Sequence, residues 1–157
     1  MTNDDANGTL PVDTDEGTAS LVVVGLGIQW AGQTTLAARC AMEKADKVLF
    51  AVADPWAAGW VRSVCPHAES LPYPRDGRTR KSIYHAMVSR ILAELRRSRR
   101  VCAVFYGSPA VLTQPAHEAV RGARAAGFSA TMLPGVSSIE CLFADLGVDP
   151  GDGGCQL

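Results

Sequence analysis

The strongest constraint in this chain is an alternation. Short apolar, β-branched runs each stop at a small or turn-forming residue, and a stretch of helical periodicity follows each one. Ser20-Leu-Val-Val-Val24 stops at Gly25, Lys47 to Val52 runs into Asp54-Pro55, Val101 to Tyr106 into Gly107-Ser-Pro109, and Ser129 to Leu133 into Pro134-Gly135. An apolar run that does not alternate reads as a strand buried on both faces, the habit of a parallel sheet. The intervening stretches predict helices over 34–45, from Asp54-Pro55 to near Cys65-Pro66, from Lys81 to about Arg97, over 113–126 and over 137–146. Asp54 is expected as an N-cap with Pro55 in the first turn, and Gly127 and Gly147 as C-terminal stops. Leu36, Cys40 and Met42 are expected to face inward on the first helix. Tyr84, Met87, Ile91 and Leu95 make one face of the third. Residues 68–79, with Pro72, Pro74 and Gly77, read as irregular.

Strands alternating with helices of this length predict an α/β fold, a mainly parallel sheet flanked by helices. Ligands of such sheets bind beyond the carboxyl ends of the strands. The loops after Val24, Val52, Tyr106 and Leu133 are therefore the candidate walls of a site. Small residues there let a ligand approach the backbone, and helix N-termini supply N–H donors.

Composition narrows the class. At 157 residues and 47% hydrophobic, the chain makes one domain with a sizeable core and is not a disordered chain. No apolar run approaches the roughly 18 residues of a membrane span, and no basic n-region marks a secretory signal. The expectation is a cytoplasmic protein with no membrane partner. The formal net charge of −1 gives no general argument for nucleic acid. That total hides an asymmetry: residues 1–19 carry five acids and no Lys or Arg, leaving fifteen bases against eleven acids in the rest. The first nineteen residues read as a disordered, solubilising acidic tail. The five cysteines contain no CxxC pair and are odd in number, so they read as reduced thiols, mostly small buried apolar groups. His67, His85 and His117 lack ligand spacing with them, and no metal site is expected.

Several motifs admit a plainer reading beside a functional one. Gly25-Leu-Gly27 suggests a dinucleotide fingerprint, but the third glycine position holds Trp30. Arg90, Arg96, Arg97, Arg99 and Arg100 could form a nucleic-acid patch. Cations complementing a helix C-terminus explain them better, because no aromatic platform is interleaved. Ser137-Ser138 lacks the surroundings of a serine nucleophile and reads as a helix cap, or as a cap that also touches a ligand. Arg80 and Tyr84 lie four apart on one helical face, with Tyr73 in the loop before it. Spacing alone favours a packed Tyr84 and a solvated Arg80.

Three ordered motifs carry a resemblance. Gly25-Leu-Gly27, Tyr106-Gly-Ser-Pro-Ala110, and Pro134-Gly-Val-Ser-Ser138 followed by Ala144-Asp-Leu-Gly-Val-Asp-Pro150 resemble the tetrapyrrole methylase superfamily, the class III S-adenosylmethionine-dependent methyltransferases. Finer features are Gln29-Trp-Ala-Gly-Gln33, Ala51-Val-Ala-Asp-Pro55, Arg80 with Tyr84, Val104-Phe-Tyr-Gly107 and Cys141-Leu-Phe-Ala-Asp145. These resemble the borosin peptide N-methyltransferases, in the split form whose precursor peptide is a separate chain.

The resemblance implies S-adenosyl-L-methionine as cofactor, a precursor peptide as substrate, backbone amides as methyl acceptors, and a homodimer. It implies donor-binding roles for Tyr106, Ser108, Val111, Leu112, Ser137 and Ser138, and catalytic roles near the acceptor amide for Tyr73, Arg80 and Tyr84. Which tyrosine would be base and which donor stays open. Ser108 and Ala110 stand where the family usually has His and Gly. The resemblance also implies that residues 20–150 are the N-terminal domain of a two-domain unit, that 151–157 begin an interdomain linker, and that the donor lies between the domains. A tetrapyrrole or other small-molecule methylase, and a truncated inactive partner-binding domain, are the alternatives.

Overall fold

The computed structural model describes residues 19–74 and 76–151. The acidic tail over 1–18, Cys155 and most of the expected linker lie outside the described residues.

Five strands form one sheet: β1 (Ser20–Gly25), β2 (Lys47–Ala51), β3 (Glu69–Ser70), β4 (Arg100–Phe105) and β5 (Ser129–Met132), in the spatial order β3-β2-β4-β1-β5. Every pairing is parallel, and β1 and β4 pair along their full length from Ser20 opposite Arg100 to Gly25 opposite Phe105. Five helices complete the domain: α1 (Leu36–Lys44), α2 (Pro55–Val64), α3 (Arg80–Leu95), α4 (Gln114–Ala125) and α5 (Ser138–Leu146).

Alternate side chains of the buried strands feed two cores. Leu21, Val23, Leu49, Val101, Ala103 and Phe105 pack with α3 and α4 on one face, through Ile83, Met87, Ile91, Leu95, Ala116 and Ala119. Val24, Val48, Phe50, Cys102 and Val104 pack with α1 and α2 on the other, through Ala38, Met42, Ala57 and Val61. The result is a three-layer α/β/α sandwich in which burial on both faces explains the unbroken apolar runs. Because β1 and β2 lead to α1 and α2 on one face and β4 leads to α4 on the other, the loops diverge around β4. Crevices open at such switch points.

The start and stop signals act as expected. The Asp54 carboxylate accepts from Trp56 N at 2.9 Å, with Pro55 opening α2. Gly127 and Gly147 take positive φ of 83° and 64° after α4 and α5. Two expectations are corrected. Residues 68–79 are not wholly irregular: Glu69–Ser70 pairs with Leu49–Phe50 as an edge strand, too short to show a pattern. On α1, Met42 is buried, but Leu36 is 84% exposed and Cys40 only half-buried. The helix starts later than expected, capped by the Thr35 hydroxyl accepting from Ala38 N at 3.1 Å, and its inward stripe is Ala38, Ala41 and Met42. Among the described cysteines, only Cys102 is fully buried, and desolvation pushes its thiol well above the ordinary value. Arg100 pairs with Asp46 at 2.9 Å, and Arg90 reaches Glu69 at 2.6 Å and Glu94 at 3.4 Å, so both serve the fold. Among the described residues no helix is long and apolar enough to cross a membrane.

Candidate active site

The carboxyl edge of the sheet has two parts. The first is a junction of turns. The chain leaving β4 doubles back over the end of β1: Gly107 exchanges backbone hydrogen bonds with Gly27, at 3.0 and 3.2 Å. This crossing needs Gly25 to have no side chain. A Cβ there would sit 2.0 Å from the Gly107 carbonyl oxygen and 2.8 Å from the Pro109 ring. Gly107 itself turns at φ 69°. The turn then meets the loop after β5, where Gly135 N donates to the buried Ser108 hydroxyl at 3.4 Å. A Cβ on Gly135 would come 3.2 Å from the same Gly107 oxygen. The glycine after β1 therefore joins the turns at 106–112 and 134–138, instead of gripping a dinucleotide.

Beyond Ser108 the turn is held by its own backbone: Val111 N donates to Ser108 O at 3.2 Å, and Thr113 Oγ1 donates to Val111 O at 3.0 Å. Leu112 stands out, 90% exposed with φ at +54°. A γ-branched residue held in the left-handed region stores strain, a mark of functional segments. On the other turn, Ser137 opens α5 with a full capping box. Ser137 N donates to Glu140 at 2.8 Å, the Ser137 hydroxyl also donates to Glu140, and Ile139 N reaches that hydroxyl at 3.3 Å. The Ser137 hydroxyl holds the Glu140 carboxyl below its ordinary value. Ser138 follows, exposed, at the first helical position.

The second part is a cleft of about 1010 Å³ beyond β2, β3 and β4. The loop after β1 supplies Ile28, Gln29 and Trp30. The end of β2 supplies Ala51 to Asp54. Leu71 and Tyr73 follow β3, Met87 rises from α3, and Tyr106 closes the side toward the junction. The Tyr73 and Tyr84 rings meet edge to face, centroids 6.1 Å apart at 64°. Tyr84 is half-buried against the core, Tyr73 is 50% exposed, and Arg80 lies exposed one turn before Tyr84 on the same face of α3. The cleft is thus aromatic and apolar. Phenol groups stand at its wall, and its one acid, Asp54, is engaged as a helix cap.

The residues singled out by sequence fall into two groups. Tyr73 and Tyr84 come together, with Arg80 on the same helix face. Ser108, Val111, Leu112, Ser137 and Ser138 line the turns of the junction and not the cleft. Tyr106, at the seam, lines the cleft with Tyr73. Spacing gave no reason to single out Gln33, whose Oε1 accepts from Ile28 N at 2.8 Å and Gln29 N at 2.9 Å. It stands in the sequence at the end of the Gln29-Trp-Ala-Gly-Gln33 feature, which assigns it no role.

Known proteins resemble this chain in sequence and in fold. The chain is 42% identical over 137 residues to a methyltransferase/ribosomally synthesized cyclic peptide dendrothelin A precursor from Dendrothele bispora, covering 87% of this chain and 33% of that one. It is 38% identical over 147 residues to the corresponding omphalotin A precursor from Omphalotus olearius, covering 93% and 35%. The chain thus spans about a third of the length of these curated relatives. The native uroporphyrin III C-methyl transferase from Thermus thermophilus shares the fold, with a TM-score of 0.61 at 23% identity over 81% of this chain and 52% of that one. The family model for tetrapyrrole (corrin/porphyrin) methylases matches residues 20–157, and the chain belongs to that family.

Proposed function

We propose that this chain carries the donor-binding turns and the acceptor-activating side chains of an S-adenosylmethionine-dependent methyltransferase that N-methylates backbone amides of a ribosomally made precursor peptide. The observation that carries the reading is a cleft lined by Tyr73, whose ring meets Tyr84, and by Tyr106, which borders a junction of closely packed glycine turns. The relatives whose names join a methyltransferase to a peptide precursor support the peptide as substrate.

The fit to the cofactor is tested at the junction. Gly25, Gly107 and Gly135 converge where any Cβ on Gly25 or Gly135 would crowd the Gly107 carbonyl. That close packing holds the turns at 106–112 and 134–138 side by side, with Tyr106, Leu112 and Ser138 exposed along them, so one bound molecule could touch both turns. Tyr106, Ser108, Val111, Leu112, Ser137 and Ser138 would hold the cofactor there. When bound, it supplies an electrophilic methyl group on a sulfonium.

The acceptor side has a harder task. An amide nitrogen is a poor nucleophile, because its lone pair is delocalised into the carbonyl. Making it reactive means developing negative charge on the carbonyl oxygen and removing the N–H proton. The Arg80 guanidinium, always charged and rich in donors, suits the first role, and a phenol hydroxyl from Tyr73 or Tyr84 can share it. The other phenol, as phenolate, takes the proton. Trp30, Leu71 and Met87 add apolar surface to the wall beside Tyr73. Holding nitrogen and methyl in line supplies much of the remaining acceleration.

The test is incubation of the full chain with isotopically labelled S-adenosylmethionine and the precursor peptide encoded beside its gene. The expected result is a labelled methyl on a backbone nitrogen, located by tandem mass spectrometry. Methylation of a porphyrinogen and not of the peptide would favour a small-molecule methylase. Failure to methylate either, with no binding of S-adenosylhomocysteine, would favour a non-catalytic partner domain.

A further inference from the structure

The loop between β1 and α1 reaches from the cleft to α5, and one side chain makes the connection. Ile28, Gln29 and Trp30 line the cleft. Ala31, next in the chain, is held at φ +65°, a conformation that an alanine keeps only when its surroundings over-determine it. Part of that determination is local: Gly32 N donates to Trp30 O at 2.9 Å and Gln33 N to Gln29 O at 2.9 Å. The rest is the Gln33 side chain. Its Oε1 accepts from both Ile28 N and Gln29 N, which fixes the amide against the Cys141 thiol, itself 3.8 Å from Oε1. There Nε2 donates to Cys141 Sγ at 3.4 Å, on α5, one turn beyond the Ser137 cap. At the base of the loop, Thr34 Oγ1 donates to Leu26 O at 3.0 Å, and Gly27 leaves no room for a Cβ beside Gln33.

We propose that Gln33 is a positioning residue that ties the Trp30 rim of the acceptor cleft to α5, so that the cofactor-side turn and the substrate-side rim keep one relative placement. The catalytic sense of this link rests on the function proposed above. The link itself does not, because it joins two elements whose contact is measurable without ligand. A fixed relative placement matters for this chemistry, since small misplacements of reacting groups are costly to rate.

Trp30, 36% exposed, reports on the rim. In the full chain carrying Trp56→Phe and Trp60→Phe, acrylamide quenching reads Trp30 alone. Gln33→Ala is expected to raise the quenching constant about twofold by freeing the loop. Cys141→Ala, on the other side of the link, is expected to raise it in the same direction. Gln33→Glu keeps the acceptor for the two backbone N–H groups and can still accept from the Cys141 thiol, and is expected to fall between the parent and Gln33→Ala. Unchanged quenching in Cys141→Ala, with an unaltered thermal midpoint, would overturn the proposal. So would a Gln33→Ala variant indistinguishable from the parent. A second arm adds S-adenosylhomocysteine. The parent is expected to bind it and to shield Trp30 further, and Cys141→Ala to bind it without that response. An identical response in Cys141→Ala overturns the coupling. A parent that does not bind contradicts the proposed function, while the ligand-free arm still decides the link.

Discussion

At the ends of β1, β4 and β5 the chain packs backbone against backbone; beyond β2 and β3 it leaves a cleft bounded by side chains. In the junction the decisive atoms are absent ones, the missing Cβ groups of Gly25 and Gly135 around the Gly107 carbonyl. In the cleft they are the Tyr73 and Tyr106 rings on about 1010 Å³ of space, with Tyr84 behind Tyr73. The contrast teaches that the two parts should fail differently. A junction residue is constrained by what cannot fit and acts through the fold. A cleft residue is constrained by what it can do to a bound molecule, and the fold tolerates its loss.

The largest effect is expected at Gly25. A methyl group 2.0 Å from a backbone oxygen forces two strand ends apart, and neither is a flexible side chain that can give way. Gly25→Ala is expected to destabilise the domain by about 3 kcal/mol or more, read as a shift of the urea midpoint. A loss under about 1 kcal/mol would mean the junction is looser than its contacts indicate. Arg80→Ala reverses the pattern. Arg80 is exposed, so stability should hold within about 0.5 kcal/mol. Peptide methylation should fall by about 10²-fold, the loss of one donor at developing negative charge. Tyr84→Phe keeps the ring contact with Tyr73 and removes only the hydroxyl, so it should also separate activity from stability. If either cleft variant unfolds the protein while keeping specific activity, the two-part description fails.

Helix caps sharpen the comparison at a smaller scale. Ser137→Ala removes the centre of a capping box beside the junction, and Asp54→Ala removes a simple cap beside the cleft. Each is expected to lower stability by about 1 kcal/mol. Ser137→Ala should also change the acid limb. The Ser137 hydrogen bonds hold Glu140 below its ordinary value of 4.5, so their contribution is complete above that pH and fades as pH falls through the lower folded value. The parent should therefore lose slightly more stability than Ser137→Ala between about pH 5 and 3, followed by thermal melts across that range. Because Glu140 is exposed, this is the smallest effect of the set.

The same contrast explains what could be read from the sequence. The strands were legible because burial on both faces leaves unbroken β-branched runs, and the helix ends because Asp54-Pro55, Ser137 and Gly147 act through local geometry. β3 was not legible, since two residues carry no period, and its pairing depends on β2 lying beside it. Leu36 misled because helical spacing does not say where the helix begins; once Thr35 caps it, the stripe moves to Ala38, Ala41 and Met42. At the site, Tyr73 and Tyr84 were visible as a spacing, but their ring contact depends on how the loop after β3 returns over α3. Local motif shape does not show the role of Gly25. Its reason lies in the turn after β4, eighty residues along the chain, whose path over β1 no local pattern encodes. Gln33 was hidden for the same reason: its partner Cys141 comes from the last helix.

The division of labour between junction and cleft can be tested directly by titrating S-adenosylhomocysteine into the isotopically labelled full chain and following backbone amide shifts. The account predicts that the largest shifts fall on Gly107 to Leu112 and Gly135 to Ser138, with smaller changes at Trp30 and little at Ser70 and Leu71. Shifts centred on Ala51 to Asp54 and Ser70 to Tyr73, with the two turns unmoved, would place the ligand in the cleft and contradict it.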